Sequence, residues 1–257
     1  MKKTFFPNKI IQIILLFFAA ILVIIPVMFI VGIKSFTTKD SIQTFVFALV
    51  CIVFIGITYL INFQRKQKLD LNFNLISFRL IGLTTILLFI FSLGINTPIN
   101  IIINQILHNK INLSNPFTRQ YYVVGAVLLG PILEEIIFRS IILRGLLTRY
   151  SPKFAIVFSA IIFGLIHGRP LQIWVTFIIG LILGYVYYKT KSIGTTVLLH
   201  SFVNLIVLIK SYLLFKYVDM TFSFSEYIFL VIVSIPLTII ITRKLILKLE
   251  HENINIK

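Results

Sequence analysis

Long apolar runs separated by short polar stretches occupy most of the chain. Their approximate bounds are Ile10–Ile33, 41–62, 77–95, 121–146, 153–168, 170–188, 192–209 and 224–243. A helix that crosses a bilayer needs about 20 mostly apolar residues. The pattern therefore predicts an all-α fold, a polytopic transmembrane helix bundle of about eight spans. An amphipathic stretch, Ile99–Leu107, follows the third run, and we expect it to lie at the membrane interface.

The composition supports lipid as the solvent for much of this chain. Of its 257 residues 58% are hydrophobic and 12% are charged, against about 45–50% and about 25% in soluble domains. So few charged side chains cannot cover the surface of a protein this size with polar groups. We therefore expect membrane lipid to be its main contact.

The net charge of +16 indicates topology rather than nucleic-acid binding. With the N-terminus inside, 16 Lys and Arg residues fall on the inner side and 7 on the outer side, while Arg139 lies within a span. The positive-inside rule then predicts a multi-pass plasma-membrane protein with both termini cytoplasmic. The abundance of Ile, Lys, Asn and Phe is typical of an AT-rich bacterial source. No basic stretch interleaved with aromatics indicates nucleic acid as a partner.

Three charged residues occupy the fourth apolar run. Glu134 and Glu135 are adjacent, and Arg139 follows four residues after Glu135. A charge at the bilayer centre costs about 2.5–3.5 kcal/mol on insertion scales. A buried ion pair explains Glu135 and Arg139, because this is the favourable helical spacing. Glu134 points about 100° away on the same helix and is therefore a candidate functional residue.

Further polar residues lie in later runs. His167 ends the fifth run, with Phe163 four residues before it on the same helix face. His200 and Asn204 share one face of the seventh run. Each histidine alone is equally well explained by a hydrogen bond between helices. Together with the glutamate pair, these residues favour a functional site.

Three short motifs resemble those of a known family. They are E-E-x-x-x-R at Glu134–Arg139, F-x-x-x-H at Phe163–His167 and H-x-x-x-N at His200–Asn204. In this order on successive hydrophobic spans, they resemble the CPBP intramembrane proteases. That family includes the type II CAAX prenyl endopeptidases and relatives linked to bacteriocin processing and self-immunity.

The resemblance implies hydrolysis of a peptide bond within the membrane. It assigns water activation to Glu134 and His167, and stabilisation of the oxyanion to His200 and Asn204. Structural support of the site falls to three residues: Glu135, Arg139 and Phe163. The resemblance divides the chain into N-terminal transmembrane helices (1–115), CPBP-like catalytic helices (116–210), and a C-terminal transmembrane helix with a cytoplasmic tail (211–257).

The cofactor requirement is open at this stage. A glutamate that activates water requires no cofactor. Glu134, His167 and His200 would also give the two-histidine, one-glutamate set of some catalytic zinc sites, although H-E-x-x-H is absent. Zinc is therefore the alternative, with these three residues as candidate ligands.

The expected substrate is a membrane-associated peptide or a protein with such a segment. Two non-enzymatic functions compete with this interpretation. One is a membrane scaffold or bacteriocin immunity factor on the same fold. The other is a proton-coupled transporter that uses the intramembrane glutamate and histidines as a relay, although the chain shows no repeated pair of broken helices.

Overall fold

A computed structural model describes residues 4–31, 39–106, 116–118, 123–216 and 223–254. These residues form eight helices and a short 3₁₀ turn at Pro116–Thr118, without any strand. The helices are α1 Ile10–Val31, α2 Lys39–Gln64, α3 Phe78–Ile106, α4 123–147, α5 Pro152–Leu165, α6 Pro170–Thr190, α7 Ile193–Lys216 and α8 Phe224–Ile254. The predicted all-α bundle is confirmed.

Within the described ranges, five helical segments are long and apolar enough to cross a membrane. They are Thr44–Gln64, Phe78–Ile106, Pro170–Thr190, Ile193–Lys216 and Phe224–Glu250. The apolar segments of α1 and α5 are shorter. Many large apolar side chains on the helices are exposed, as expected where lipid rather than water surrounds the protein. The chain is a membrane protein.

Three predicted apolar runs are shorter than the helices that contain them. Helix α3 continues through the predicted interfacial stretch to Ile106, and α7 continues past residue 209 to Lys216. Leu107 lies outside the described residues, and the interfacial position of the stretch stays a prediction. A π-helical turn at Phe91–Asn96 precedes Pro98, and such local adjustments let a membrane helix continue past a proline. The last helix also extends beyond residue 243, because Leu245 and Leu249, four residues apart, are buried on one face. Much of the predicted tail is therefore helical.

The bundle contains two apolar cores that share α6 and α7. One core joins α1, α2, α4, α5, α6 and the start of α7, and the other joins α3, α6, α7 and α8. Helix α4 contacts α2, α5, α6 and α7. These contacts bury three polar side chains of α4 completely, those of Glu135, Arg139 and Ser140.

Small residues bring α5 and α6 close together. A Cβ atom on Gly180 would lie 3.1 Å from the Cβ of Ala160, and one on Gly184 would lie 3.3 Å from Cγ2 of Ile156. Small residues four apart allow this close approach of membrane helices. The contact fixes α5, and with it Phe163, whose ring lies 3.2 Å from the same Gly180 Cβ position.

The direction of the chain defines two ends of the bundle. The near end holds the start of α1 and the α2–α3, α4–α5 and α6–α7 connections. The far end holds the ends of α1, α3, α5 and α7. At the near end the α2–α3 connection crosses α4 and α7. Ser140 Oγ donates to the Asp70 carbonyl (2.8 Å), and Ile193 N–H donates to the Asn72 carbonyl (2.7 Å).

The N-terminal segment also packs at the near end. Asn62 on α2 accepts from Phe6 N–H (2.9 Å) and donates to the Phe6 carbonyl (2.6 Å). The Pro7 carbonyl sits against Gly145 of α4, where a Cβ would approach it to 1.7 Å. Only glycine fits at this contact.

Candidate active site

Helix α4 presents its two glutamates to different surroundings. Glu135 has no exposed side-chain area, whereas Glu134 is 13% exposed and lines a cavity. The difference follows from the rotation of about 100° between neighbouring residues on a helix. π-helical turns at Gly125–Leu129 and Ile136–Leu143 flank the short α-helical segment that carries both residues. Such turns often occur at functional sites.

Glu135 is bound from two sides. Its Oε2 accepts from Arg139 Nε (2.8 Å) and its Oε1 from Arg139 Nη2 (3.3 Å), the ion pair that the spacing predicts. His200 Nδ1 lies 3.0 Å from the same Oε1. A carboxylate with this many donors is held in one orientation, and it holds His200 in turn. The sequence did not predict this second contact.

Phe163 lies between the charged and the aromatic groups of the site. Its ring is 1% exposed and packs edge-on against three rings, those of Phe138 (5.0 Å), His167 (5.0 Å) and His200 (5.7 Å). The guanidinium carbon of Arg139 lies 5.4 Å from the centre of the ring. Phe163 therefore fixes the spacing between the two histidines.

His167 lies just beyond the end of α5 and is half-buried. Its Nδ1 lies 2.8 Å from the Phe163 carbonyl. Because a carbonyl oxygen can only accept, Nδ1 carries the proton in this contact. In the neutral ring Nε2 is then a free acceptor, which is the form a proton-accepting histidine requires.

The His200 ring lies between the two glutamates. While Nδ1 faces Glu135, Nε2 lies 3.8 Å from Glu134 Oε2. This distance is too long for a direct hydrogen bond. Glu134 Oε2 is itself buried and has no hydrogen-bond partner among the described residues. It therefore has full capacity to accept a proton or a hydrogen bond from a bound molecule.

Asn204 donates a hydrogen bond to a carbonyl of α4 that lacks a backbone donor. Gly130 N–H donates to the Gly125 carbonyl, and the next bond in this register would run from residue 131 to Ala126. Pro131 has no N–H, so the Ala126 carbonyl lacks that donor. Asn204 Nδ2 supplies one at 2.7 Å. This leaves the second N–H of the amide for another acceptor.

A cavity of about 730 Å³ contains the predicted catalytic residues, within the usual 300–1,000 Å³ range of ligand sites. Glu134, His167, His200 and Asn204 all line it, whereas Glu135 and Arg139 lie behind its wall. The lining extends toward the far end, to Arg169, Gln172 and Lys210 among others. The four predicted residues thus share one compartment.

The described residues do not form a metal-binding set. Among them, no three His, Cys, Asp or Glu side chains are grouped so as to hold a metal ion. Both histidines have Nδ1 bound within the protein, His200 to Glu135 and His167 to the Phe163 carbonyl. This is also how zinc-ligating histidines are oriented, so the zinc set of Glu134, His167 and His200 stays a prediction.

Comparison with known proteins agrees with these motifs. Residues 116–206 match a family model described as "Type II CAAX prenyl endopeptidase Rce1-like". The resemblance to the CPBP proteases is confirmed. The matched segment contains every candidate site residue predicted from the sequence, and it begins and ends close to the predicted catalytic segment 116–210.

A curated relative matches about a third of the chain. This is the Bacillus subtilis (strain 168) protein named "Putative membrane peptidase YdiL", 33% identical over 87 residues. The match covers 34% of this chain and 36% of the relative, so the chain spans about a third of the length of the relative it matches. No solved structure matches the chain. The two matches support a membrane peptidase.

Some contributors to the site carried little signal in the sequence. Ala126 acts through its carbonyl oxygen, which no side-chain pattern reveals. Three asparagines of α3 also line the cavity: Asn96, Asn100 and Asn104. Their spacing of four residues in an apolar segment was a readable signal, because polar side chains in membrane helices usually face the protein interior.

Proposed function

We propose that this chain is an intramembrane endopeptidase that hydrolyses a peptide bond by glutamate-activated water. The observation that carries the proposal is the environment of Glu134. Its carboxylate faces a cavity shared with both histidines, and Oε2 is buried without a partner among the described residues. A buried carboxylate in a cavity is suited to general base catalysis.

In this mechanism Glu134 accepts a proton from the attacking water. The oxygen of that water bonds to the scissile carbonyl carbon, and the proton is later transferred to the leaving amine nitrogen. His167 assists, since its Nδ1–H is fixed by the Phe163 carbonyl and Nε2 is the free acceptor. Attack converts the carbonyl oxygen into an oxyanion.

Two residues of α7 are the proposed oxyanion donors. Asn204 keeps one Nδ2–H after binding Ala126. His200 donates through Nε2 only when its ring carries both protons, because Nδ1–H is bound to Glu135. Each such donor typically contributes about 10²–10³-fold to turnover. Glu135, Arg139 and Phe163 hold these groups in position.

No step of this mechanism uses a metal ion. Purified protein treated with a strong chelator is expected to keep its cleavage rate. Loss of cleavage with the chelator and recovery with zinc would replace this mechanism by a metal-dependent one.

The proposed orientation places both termini in the cytoplasm of a bacterial plasma membrane. The 16-to-7 distribution of Lys and Arg supports this. The cavity extends from Glu134 to exposed Arg169 and Gln172 at the far end. A substrate would then enter from the extracytoplasmic side. The proposed substrate is a peptide or protein precursor with a membrane-associated segment.

The test compares membrane peptides from cells that carry wild-type protein, Glu134→Gln protein or no protein. We expect at least one cleavage product in the wild-type cells alone, with its intact precursor in the other two. Identical peptide profiles, with any cellular phenotype retained by Glu134→Gln, would instead favour a scaffold or immunity function. A phenotype lost without any change in peptides would favour proton-coupled transport.

A further inference from the structure

Three asparagines form a row along α3. Asn96, Asn100 and Asn104 are spaced four residues apart, and all three line the cavity that contains Glu134. The residues between them are mostly apolar, since Pro98, Ile99 and Ile101–Ile103 make up five of the six. Polar side chains in such a segment call for a specific reason.

Their hydrogen bonds do not supply a structural reason. Asn100 donates to the side-chain oxygen of Asn96, and Asn104 donates to the Asn100 carbonyl (2.8 Å). Among the described residues, these side-chain bonds stay within α3. The Asn100 side-chain oxygen is buried and has no partner there. Asn62 is a useful contrast, because its side chain joins the N-terminal segment to α2 through two hydrogen bonds.

The spacing of the row fits the backbone of an extended peptide. Four helical residues rise about 6 Å. The hydrogen-bonding groups along one edge of an extended chain repeat every two residues, about 6.6–6.8 Å. Each carboxamide carries both a donor and an acceptor, as does each peptide unit. The three asparagines together span about 12 Å, or roughly four extended residues.

The geometry points to Asn96, Asn100 and Asn104 as positioning residues that bind the backbone of an extended peptide substrate along α3. This inference rests on the proposed peptidase function and adds how the substrate is held. Binding through the main chain, as when a peptide adds a strand to a sheet edge, gives affinity with little dependence on sequence.

Helices α6 and α7 give the cavity apolar walls that are suited to the substrate side chains. Val175 and Ile179 of α6 and Val203 and Val207 of α7 line it with apolar groups. A substrate bound along α3 would turn its main chain toward the asparagines and alternate side chains toward these walls. The expected substrate class is therefore an extended, largely apolar segment.

The first experiment measures steady-state cleavage by purified full-length protein in detergent. The probe is the best-cleaved member of a library of short, apolar, internally quenched peptides. Asn100→Leu and Asn104→Leu remove the amide at similar volume. Each is expected to lower kcat/KM about 2- to 12-fold, mainly through KM, which is the usual weight of one hydrogen bond. Gln105→Leu is the matched control, being exposed on the same helix and outside the cavity lining.

The second experiment begins with wild-type protein, so its first result does not depend on how the variants fold. Single backbone N–H groups of the probe, away from the scissile bond, are replaced by ester oxygens one position at a time. We expect a rise in KM at alternate positions, and loss of one of these effects in Asn100→Leu. Esters without effect, or an unchanged KM in both asparagine variants, would overturn the inference.

The Glu134→Gln variant separates this inference from the proposed function. If wild type cleaves the probe and Glu134→Gln does not, the peptidase function stands, and the KM and ester data decide the role of the asparagines. If wild type fails to cleave any library member, or Glu134→Gln cleaves equally well, the proposed function fails and the inference fails with it.

Discussion

Replacing Arg139 by alanine is expected to destabilise the protein strongly, for a reason that can be separated from lost volume. Arg139 and Glu135 are both fully buried and joined by bonds of 2.8 and 3.3 Å. Removing one member of a buried ion pair typically costs about 3–5 kcal/mol, because the other charge is left uncompensated. His200 still donates to Glu135 at 3.0 Å, so we expect a loss near the lower limit, about 3 kcal/mol.

A second substitution tests the charge. In the Arg139→Ala background, Glu135→Gln removes the stranded carboxylate but keeps an oxygen that accepts from His200. We expect this double variant to regain roughly half of the lost free energy of unfolding, because an uncharged amide is far easier to bury. Arg144→Ala is the matched control, since this arginine lies on the same helix but is only half-buried. Its bond to the Lys68 carbonyl (3.0 Å) is expected to contribute about 1 kcal/mol.

The assay is unfolding by SDS titration in mixed micelles, followed by tryptophan fluorescence. Trp174 is the sole tryptophan of the chain. It packs edge-on against Phe91 at 5.9 Å between α6 and α3, so its emission reports on helix packing. If the double variant is no more stable than Arg139→Ala alone, the cost comes from lost packing around Arg139, and the ion-pair argument is refuted.

Three further predictions follow from individual contacts. Asn204→Ala should reduce turnover about 10²–10³-fold. Adding Pro131→Ala gives the Ala126 carbonyl a backbone donor, which should restore the stability of the protein but not its turnover. Recovery of both stability and turnover would make Asn204 a purely structural residue. Gly145→Ala should make the N-terminal segment accessible to protease, because the new Cβ would lie 1.7 Å from the Pro7 carbonyl oxygen; unchanged protection would contradict this contact. Reporter fusions after residues 68 and 257 should both report cytoplasm, and an external signal at either would overturn the proposed topology.

The sequence carried most of the information about the fold. Apolar runs of bilayer length predicted the helices, because few other structures bury so many consecutive apolar residues. The ends of helices could not be predicted where hydrogen bonds or packing extend a helix beyond its apolar run. The third apolar run was predicted to end at residue 95, but the helix continues through a π-helical turn to Ile106. Leu245 and Leu249 extend the last helix because their burial outweighs the charges around them.

Residues of the candidate site could be predicted where a polar or charged side chain occurs in an apolar run, because such a side chain is costly to place in lipid. Glu134, His167, His200 and Asn204 could be selected in this way, and they line one cavity. Their connections could not be predicted. The bond between His200 and Glu135 depends on how α7 faces α4, which the sequence leaves open.

The most direct test of the central claim is the cleavage rate of purified Glu134→Gln protein in detergent, measured in a single turnover with the internally quenched probe. Glutamine keeps the volume of the side chain but cannot accept the proton from water. We expect a loss of about 10²–10⁴-fold, the usual contribution of a general base, with unchanged Trp174 emission. Glu250→Gln makes the same chemical change at an exposed position of α8 and should cleave at the wild-type rate. A well-folded Glu134→Gln protein that cleaves as fast as wild type would contradict the account.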